Sequence, residues 1–364
     1  MKTLQEMYGL KSNPFRMTPA TNPEELVWAG FSDVRTKIEK RIQRAVNLQN
    51  SSLVLNWGDY GSGKTHAARY FKKQSVLEAM SGEHSLPFVM LLDFPKGKEP
   101  VFELYTKIID KLDIGGIRSA LGEDAKEKAR IVVNDNILLS SILEYILDNT
   151  VDPAEAKAFL YGSLGVKEAL IKRGIQRKLN TDNDYIDFLA GLFSLLTFEK
   201  KPYSCMILWI DEFEDISLQN SSNVGKINNM IRGLLDKSPN NLLIFLNLTQ
   251  SAMMDVNDLS DYLQEAVVSR IKERIELAVP GSEDLKDYVK ELMNNPLFRD
   301  ENKGYYPFDE NVIDEIIKDK KAGVSLRAYN EIFSTLLEDA AYEEIAKIDI
   351  DFYYSEKSEL FGAE

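Results

Sequence analysis

Cysteine and histidine are nearly missing from this 364-residue sequence, which has one cysteine, Cys205, and two histidines. A lone thiol excludes an internal disulfide framework and suits a reducing cytosol. So few soft ligands also exclude a structural zinc site of the usual composition. No apolar run approaches the roughly 20 residues that span a bilayer, and the first residues lack a signal-peptide pattern. Positive charge is short as well: 44 Lys and Arg against 58 Asp and Glu leave a net charge of −14. The imbalance is local, since residues 281–364 hold 21 acidic and 10 basic side chains and residues 1–280 hold 37 and 34. A broad basic face for wrapping nucleic acid is therefore excluded, although a local basic stripe is not. What remains is ordinary for a soluble globular chain, with 44% hydrophobic and 28% charged residues and length enough for one large domain or two.

The pattern along the chain is that of an α/β protein. Residues 1–30, with Asn13-Pro14-Phe15, Thr18-Pro19 and Asn22-Pro23, read as an extended arm. A helix is expected from Ser32, because Val34, Ile38, Ile42 and Val46 recur at four-residue spacing. Short apolar runs at Ser52–Trp57, Pro87–Asp93, Cys205–Ile210, Leu242–Leu246 and Arg274–Val279 predict five strands. Helical stretches separate them, which implies a parallel sheet. From about residue 283 only helical periodicity remains, including a helix from Leu326 to Tyr342 with Ser325 as N-cap, just after Gly323. The expected organisation is an arm (1–30), an α/β domain (31–280) and a small helical domain (281–364).

The strand Ser52–Trp57 runs directly into Gly58-Asp59-Tyr60-Gly61-Ser62-Gly63-Lys64-Thr65, followed by His66 and a helix. This spacing is a P-loop. Glycines let the backbone N–H groups and the helix N-terminus wrap phosphates. Lys64 is expected at the β- and γ-phosphates and Thr65 at Mg²⁺, with Gly58 through His66 as the ATP contacts. A second apolar strand, Met206–Ile210, ends in Asp211-Glu212. Buried parallel strands carry charge only where they emerge at the carboxyl edge, where ligands bind. Asp211 is therefore expected to hold Mg²⁺ through water and Glu212 to polarise the attacking water. The strand Leu242–Leu246 is followed by Asn247-Leu248-Thr249-Gln250. Asn247 and Thr249 are both candidates for a polar group near the γ-phosphate.

These motifs, with Ser269-Arg270, resemble the AAA+ ATPases, most closely the Orc1/Cdc6-type initiators and the ExeA/TniB/TnsC-type ATPases. The resemblance covers about residues 5–345. The opening Tyr8-Gly9-Leu10…Asn13-Pro14-Phe15…Thr18-Pro19 is similar to the arm of ExeA-like proteins. Phe159–Ser163, Gly174-Ile175 and Asp182-Asn183, continuing to Ile210–Glu214, look like BREX-type defence ATPases. The resemblance implies an AAA+ core with a five-stranded parallel sheet and a helical lid. It implies Arg270 as an arginine finger acting on a neighbouring subunit, with Arg274 as the alternative. It also implies Arg327 as the lid arginine that senses nucleotide, and Tyr8–Phe15 with the lid start as the adenine enclosure. Two departures stand out. The 147 residues from Lys64 to Asp211 far exceed a βαβ crossover and imply a helical insertion at about 101–200, with Tyr185–Phe198 as one amphipathic helix (Ile186, Leu189, Phe193, Leu196). The roughly 20 residues after the lid are too few for the winged helix of the initiators, so no separate DNA-binding domain is expected.

The function that follows is an oligomeric ATPase coupling ATP binding and hydrolysis to assembly on, or remodelling of, a macromolecular partner. The setting is a DNA-linked system such as defence or transposition, with a nuclease, methyltransferase or transposase as partner. Lys167, Lys172, Arg173, Arg177 and Lys178 form the one concentrated basic stretch, readable as a weak nucleic-acid contact or as a solvated helix face. The competing readings are an ATP-gated scaffold with little turnover and a small-molecule P-loop kinase. Glu212 disfavours the first; the Asp211-Glu212 pair, the lid and the finger candidate disfavour the second.

Overall fold

The computed structural model describes residues 2–18, 20, 22–122, 124–238, 241–250, 255–320 and 324–361. Pro19 of the arm and Gly323 before the lid helix lie outside the described residues. The chain divides into two compact units, one of residues 1–37, 58–73 and 276–364, the other of residues 38–57 and 74–275.

The second unit holds a five-stranded parallel sheet. Its strands are β1 (Ser51–Gly58), β2 (Phe88–Asp93), β3 (Met206–Asp211), β4 (Leu242–Thr249) and β5 (Ile271–Glu276), in the order β2-β3-β4-β1-β5. Every residue of β3 is buried, as both faces of a helix-covered parallel sheet require. Trp209 and Phe245 pair across β3 and β4 and stack with ring centroids 3.9 Å apart. Two strands differ from the sequence expectation. β4 runs on through Thr249, so Asn247 and Thr249 lie within it. β5 starts three residues before the expected Arg274. It is an edge strand whose exposed Lys272, Arg274 and Glu276 alternate with Ile271, Glu273 and Ile275, so a search for apolar alternation finds it late.

The segment expected to be a helical insertion is helical among its described residues, from Pro100–Lys111 to Asp182–Leu196. It has no core of its own. Met90 and Leu92 of β2 and Leu208 of β3 share one buried cluster with Tyr105, Ile142, Leu143 and Phe188. The expected amphipathic helix is Asp182–Leu196, started by a Thr181–Asp184 capping box. It is not half-exposed: Phe188, Ala190, Gly191, Leu192 and Leu195 are buried with the four expected positions. From Phe188 to Leu196 only Ser194 is not buried, as in a central helix.

The first unit is built on the helices Ser282–Met293, Glu310–Asp319 and Leu326–Tyr342. The segment read as an extended arm contains a helix, Leu4–Tyr8, capped by Thr3 and Glu6. It buries Tyr8, Leu10 and Phe15 in the helical core, and Phe15 stacks on Phe333 at 5.1 Å. Those rings are at most 2% exposed, while Gly9, Lys11 and Ser12 between them are exposed. No described helix is long and apolar enough to cross a membrane.

Candidate nucleotide site

The phosphate loop is shaped by its glycines. Gly61 and Gly63 have φ of +78° and +99°, conformations that L side chains rarely adopt. At Gly58 a Cβ would lie 2.3 Å from the Leu277 carbonyl oxygen, and at Gly61 one would meet Arg327 Cβ and Ser325 Oγ at 3.0 Å. The helix Lys64–Tyr70 begins directly after Gly63, two residues before the expected His66. Lys64 is buried, and its ammonium donates to the Gly58 carbonyl (2.8 Å), the Asp59 carbonyl (2.9 Å) and Ser62 Oγ (3.2 Å). A cation thus sits inside a loop of the shape that holds phosphates.

The lid helix reaches the same loop. Ser325 caps Leu326–Tyr342 by accepting from the Ala328 N–H. Arg327, in the first turn, donates from Nη1 to the Tyr60 hydroxyl (2.9 Å) and lies over the Tyr60 ring, 5.7 Å from its centroid. Thr65 is half-buried at the second position of the P-loop helix. His66 points elsewhere: its Nε2 lies 2.9 Å from the Val27 carbonyl, and its ring packs beside Trp28 and Tyr70. Its imidazole thus ties the P-loop helix to the N-terminal segment.

The acidic strand end belongs to the other unit. Asp211 closes β3 and is 7% exposed. Asn247 is fully buried on β4 and donates from Nδ2 to Asp211 Oδ1 (3.2 Å), while its Oδ1 accepts from Asn56 Nδ2 on β1 (3.1 Å). Of the two polar candidates on β4, Asn247 is the one bonded to Asp211; Thr249 gives its backbone N–H to Glu214 Oε2 (2.8 Å). Glu212 leaves the strand in a left-handed conformation (φ 57°, ψ 38°), which turns its side chain outward. There it pairs with Lys96. Asn56 and Lys96 were missed in the sequence. The signal for Asn56 was a lone amide between Leu55 and Trp57 in an apolar strand; Lys96 had none.

Arg270 follows the short helix Glu265–Val268 and pairs with Asp236 (Nη2 2.5 Å, Nε 3.1 Å), while Arg274 is exposed on β5. The basic stretch of residues 167–178 is largely neutralised within the fold. Lys172 pairs with Glu168, Arg173 with Asp148, and Arg177 with Asp184 at 2.7 and 2.8 Å. Lys178 donates to the Gly162 carbonyl (2.5 Å). Three of its five cations, Lys172, Arg173 and Arg177, are thus partners of local acids.

No family model and no curated protein sequence matches the chain. Solved structures do. The Aeropyrum pernix ORC2 protein in its ADPNP–ADP complexes matches with a TM-score of 0.55 at 15% identity, over 98% of this chain and 73% of that one. The Aeropyrum pernix ORC1 protein in complex with DNA matches with a TM-score of 0.50 at 13% identity, over 99% and 71%. The chain therefore has the P-loop fold of the AAA+ ATPases. Within that class the likeness is to the Orc1/Cdc6 type, and at these identities it is a likeness of fold.

Proposed function

We propose that the chain binds and hydrolyses ATP and couples that cycle to its own assembly and to a macromolecular partner. The observation that carries this reading is the loop Gly58–Thr65, with glycines where a side chain cannot fit and the Lys64 ammonium inside it. Lys64 exchanges its loop carbonyls for phosphate oxygens, and Arg327 contributes a second cation from the lid. Mg²⁺ takes one or two carboxylates together with substrate phosphates. A buried Asp211 with one oxygen fixed by Asn247, and the Thr65 hydroxyl, are donors of that kind. The ion, when bound, neutralises phosphate charge; Asp211 and Thr65 would hold it. Glu212 orients the attacking water, Asn247 keeps Asp211 in place, and Arg270 acts on the nucleotide of a neighbouring copy. The bound nucleotides in the ORC2 structures favour nucleotide binding, and the resemblance to BREX-type and TniB-type ATPases extends the reading to a DNA-linked system.

A nucleotide-gated scaffold with little turnover is the second reading, and one observation favours it: the Glu212 carboxylate is engaged by Lys96. Titration with Mg-ATP and ADP, followed by phosphate release, separates the two. Saturable ATP binding that is lost in Lys64→Ala, with turnover, supports the ATPase. Binding without turnover supports the scaffold. Full ATP affinity in Lys64→Ala removes the site altogether.

A further inference from the structure

Leu53, Val54 and Leu55 of β1 are fully buried, and the next residue, equally buried, is an asparagine. Burying an amide oxygen without a partner is unfavourable, and Asn56 Oδ1 is in that position. A leucine there would extend the apolar run of the strand. What asparagine supplies is a donor: Asn56 Nδ2 bonds Asn247 Oδ1 at 3.1 Å, and Asn247 Nδ2 bonds Asp211 Oδ1 at 3.2 Å. Since β1, β4 and β3 are consecutive in the sheet, the three side chains form one line across three strands at their carboxyl ends.

Chemistry fixes the direction of that line. An ionised carboxylate only accepts, so Asn247 must turn its NH₂ toward Asp211. Its oxygen then faces β1, where only a donor can meet it. We propose that Asn56 is a positioning residue for the nucleotide site: it locks the Asn247 amide in the orientation that donates to Asp211, and so holds the carboxylate in one rotamer. This rests on Asp211 serving that site. An aspartate at position 56 would reverse the line, because an acceptor there draws the Asn247 NH₂ away and leaves two oxygens facing each other. A leucine leaves the amide directed from the Asp211 side alone. A threonine keeps a hydroxyl donor in a side chain that suits a strand.

The test compares Asn56→Leu, Asn56→Asp and Asn56→Thr in the full chain. It reads melting temperature without nucleotide, ATPγS affinity across a Mg²⁺ series, and kcat and KM. Partners one shell out from a metal ligand are worth about tenfold or more in metal affinity or activity. Asn56→Leu is therefore expected to melt at or above the wild-type temperature, keep KM, lose about tenfold in kcat and need about tenfold more Mg²⁺ for tight ATPγS binding. Asn56→Thr should approach wild type and Asn56→Asp should fall below Asn56→Leu; if the aspartate variant does not fold, the other two still decide. In an Asn247→Leu background, Asn56→Leu should add nothing. Wild-type kcat and Mg²⁺ dependence in Asn56→Leu, while Asp211→Ala is inactive, overturn the positioning role alone, as do effects that multiply in the double variant. An Asp211→Ala protein that keeps both properties removes the nucleotide-site reading, and the positioning role with it.

Discussion

Lys96 Nζ lies 2.7 Å from a carboxylate oxygen of Glu212 and 2.7 Å from one of Asp215, so a single ammonium is shared by the two acids beyond β3. Its loop is anchored by the Phe94 N–H bonded to the Asp211 carbonyl and by the Phe94 ring packed edge-on against Phe213. The hydrogen bonds to Asp215 and then Glu212 raise the lysine's pKa above its ordinary value, so it stays charged. Glu212 is thus paired in place while its side chain remains about half exposed.

Releasing Glu212 is expected to raise basal turnover. An exposed ion pair is worth about 0–1 kcal/mol, so Lys96→Ala should increase phosphate release by at most about fivefold. ATP affinity should be unchanged, and stability should move by less than about 1 kcal/mol. High salt should have a similar effect on the wild type. Steady-state phosphate release across a salt series checks this, and a fall in turnover would give Lys96 the opposite role, that of holding the carboxylate where the water needs it.

His66 makes folding stability depend on pH. Loss of solvent lowers its pKa below the ordinary 6.5, with the Val27 carbonyl bond opposing the shift. Below about pH 6.5 the unfolded chain therefore binds a proton that the folded chain resists. Stability should be fully present above that value and fall as the pH drops through it. Melting temperatures at about pH 7.5 and about pH 5.5 should differ more for the wild type than for His66→Gln. An equal loss in both proteins would assign the acid sensitivity to carboxylates.

The legible parts of this molecule were those whose cause is local. The P-loop declares itself because glycine spacing, lysine and hydroxyl are adjacent in sequence, and Asp211 because a charge ends an apolar run. Ser325 was legible as a cap for the same reason. The parts that were not legible depend on distant partners. Tyr8, Leu10 and Phe15 look like an arm until the helices around Phe333 supply their core. Arg173 and Arg177 look like a free basic stripe until Asp148 and Asp184 neutralise them. The central helix Asp182–Leu196 seemed one-sided because Phe188 and Leu192 lie off the stripe that the sequence periodicity picks out.

Arg270 is held by Asp236 within its own chain, and a finger must leave that pair to act on a neighbour. Arg270→Ala should spare ATP binding and lower hydrolysis by about 10³–10⁵. Arg274→Ala should change it by less than about twofold, as expected of an exposed edge-strand charge. Mixing Arg270→Ala with Lys64→Ala should recover part of the activity, since one copy brings an intact phosphate loop and the other an intact finger. A mixture that assembles and stays inactive, or an Arg274→Ala protein with the larger loss, would move the finger.

Glu212 and Glu214 are two residues apart, yet their surroundings give them different work. Glu214 accepts from the Thr249 N–H at 2.8 Å and so ties the turn after β3 to the end of β4. The Glu212 carboxylate bonds no backbone group among the described contacts; it pairs with Lys96 and can turn once that pair opens. Glu212→Gln keeps the shape and a polar end but removes the carboxylate proposed to orient water. Lys64, Arg327, Thr65 and Asp211 are untouched, so ATP should bind normally and persist. If ATP joins subunits through Arg270, the persistent state is also the assembled one. In chromatography with light scattering, Glu212→Gln with Mg-ATP should run as a stable oligomer, and with ADP as a smaller species. Glu214→Gln should instead lower the melting temperature, because a neutral amide oxygen makes a weaker bond to the Thr249 N–H than a carboxylate does, and should turn over ATP at near the wild-type rate. If the two variants exchange behaviours, Glu214 is the residue that orients the water; if Glu212→Gln stays monomeric with bound ATP, nucleotide gates a partner rather than a subunit contact.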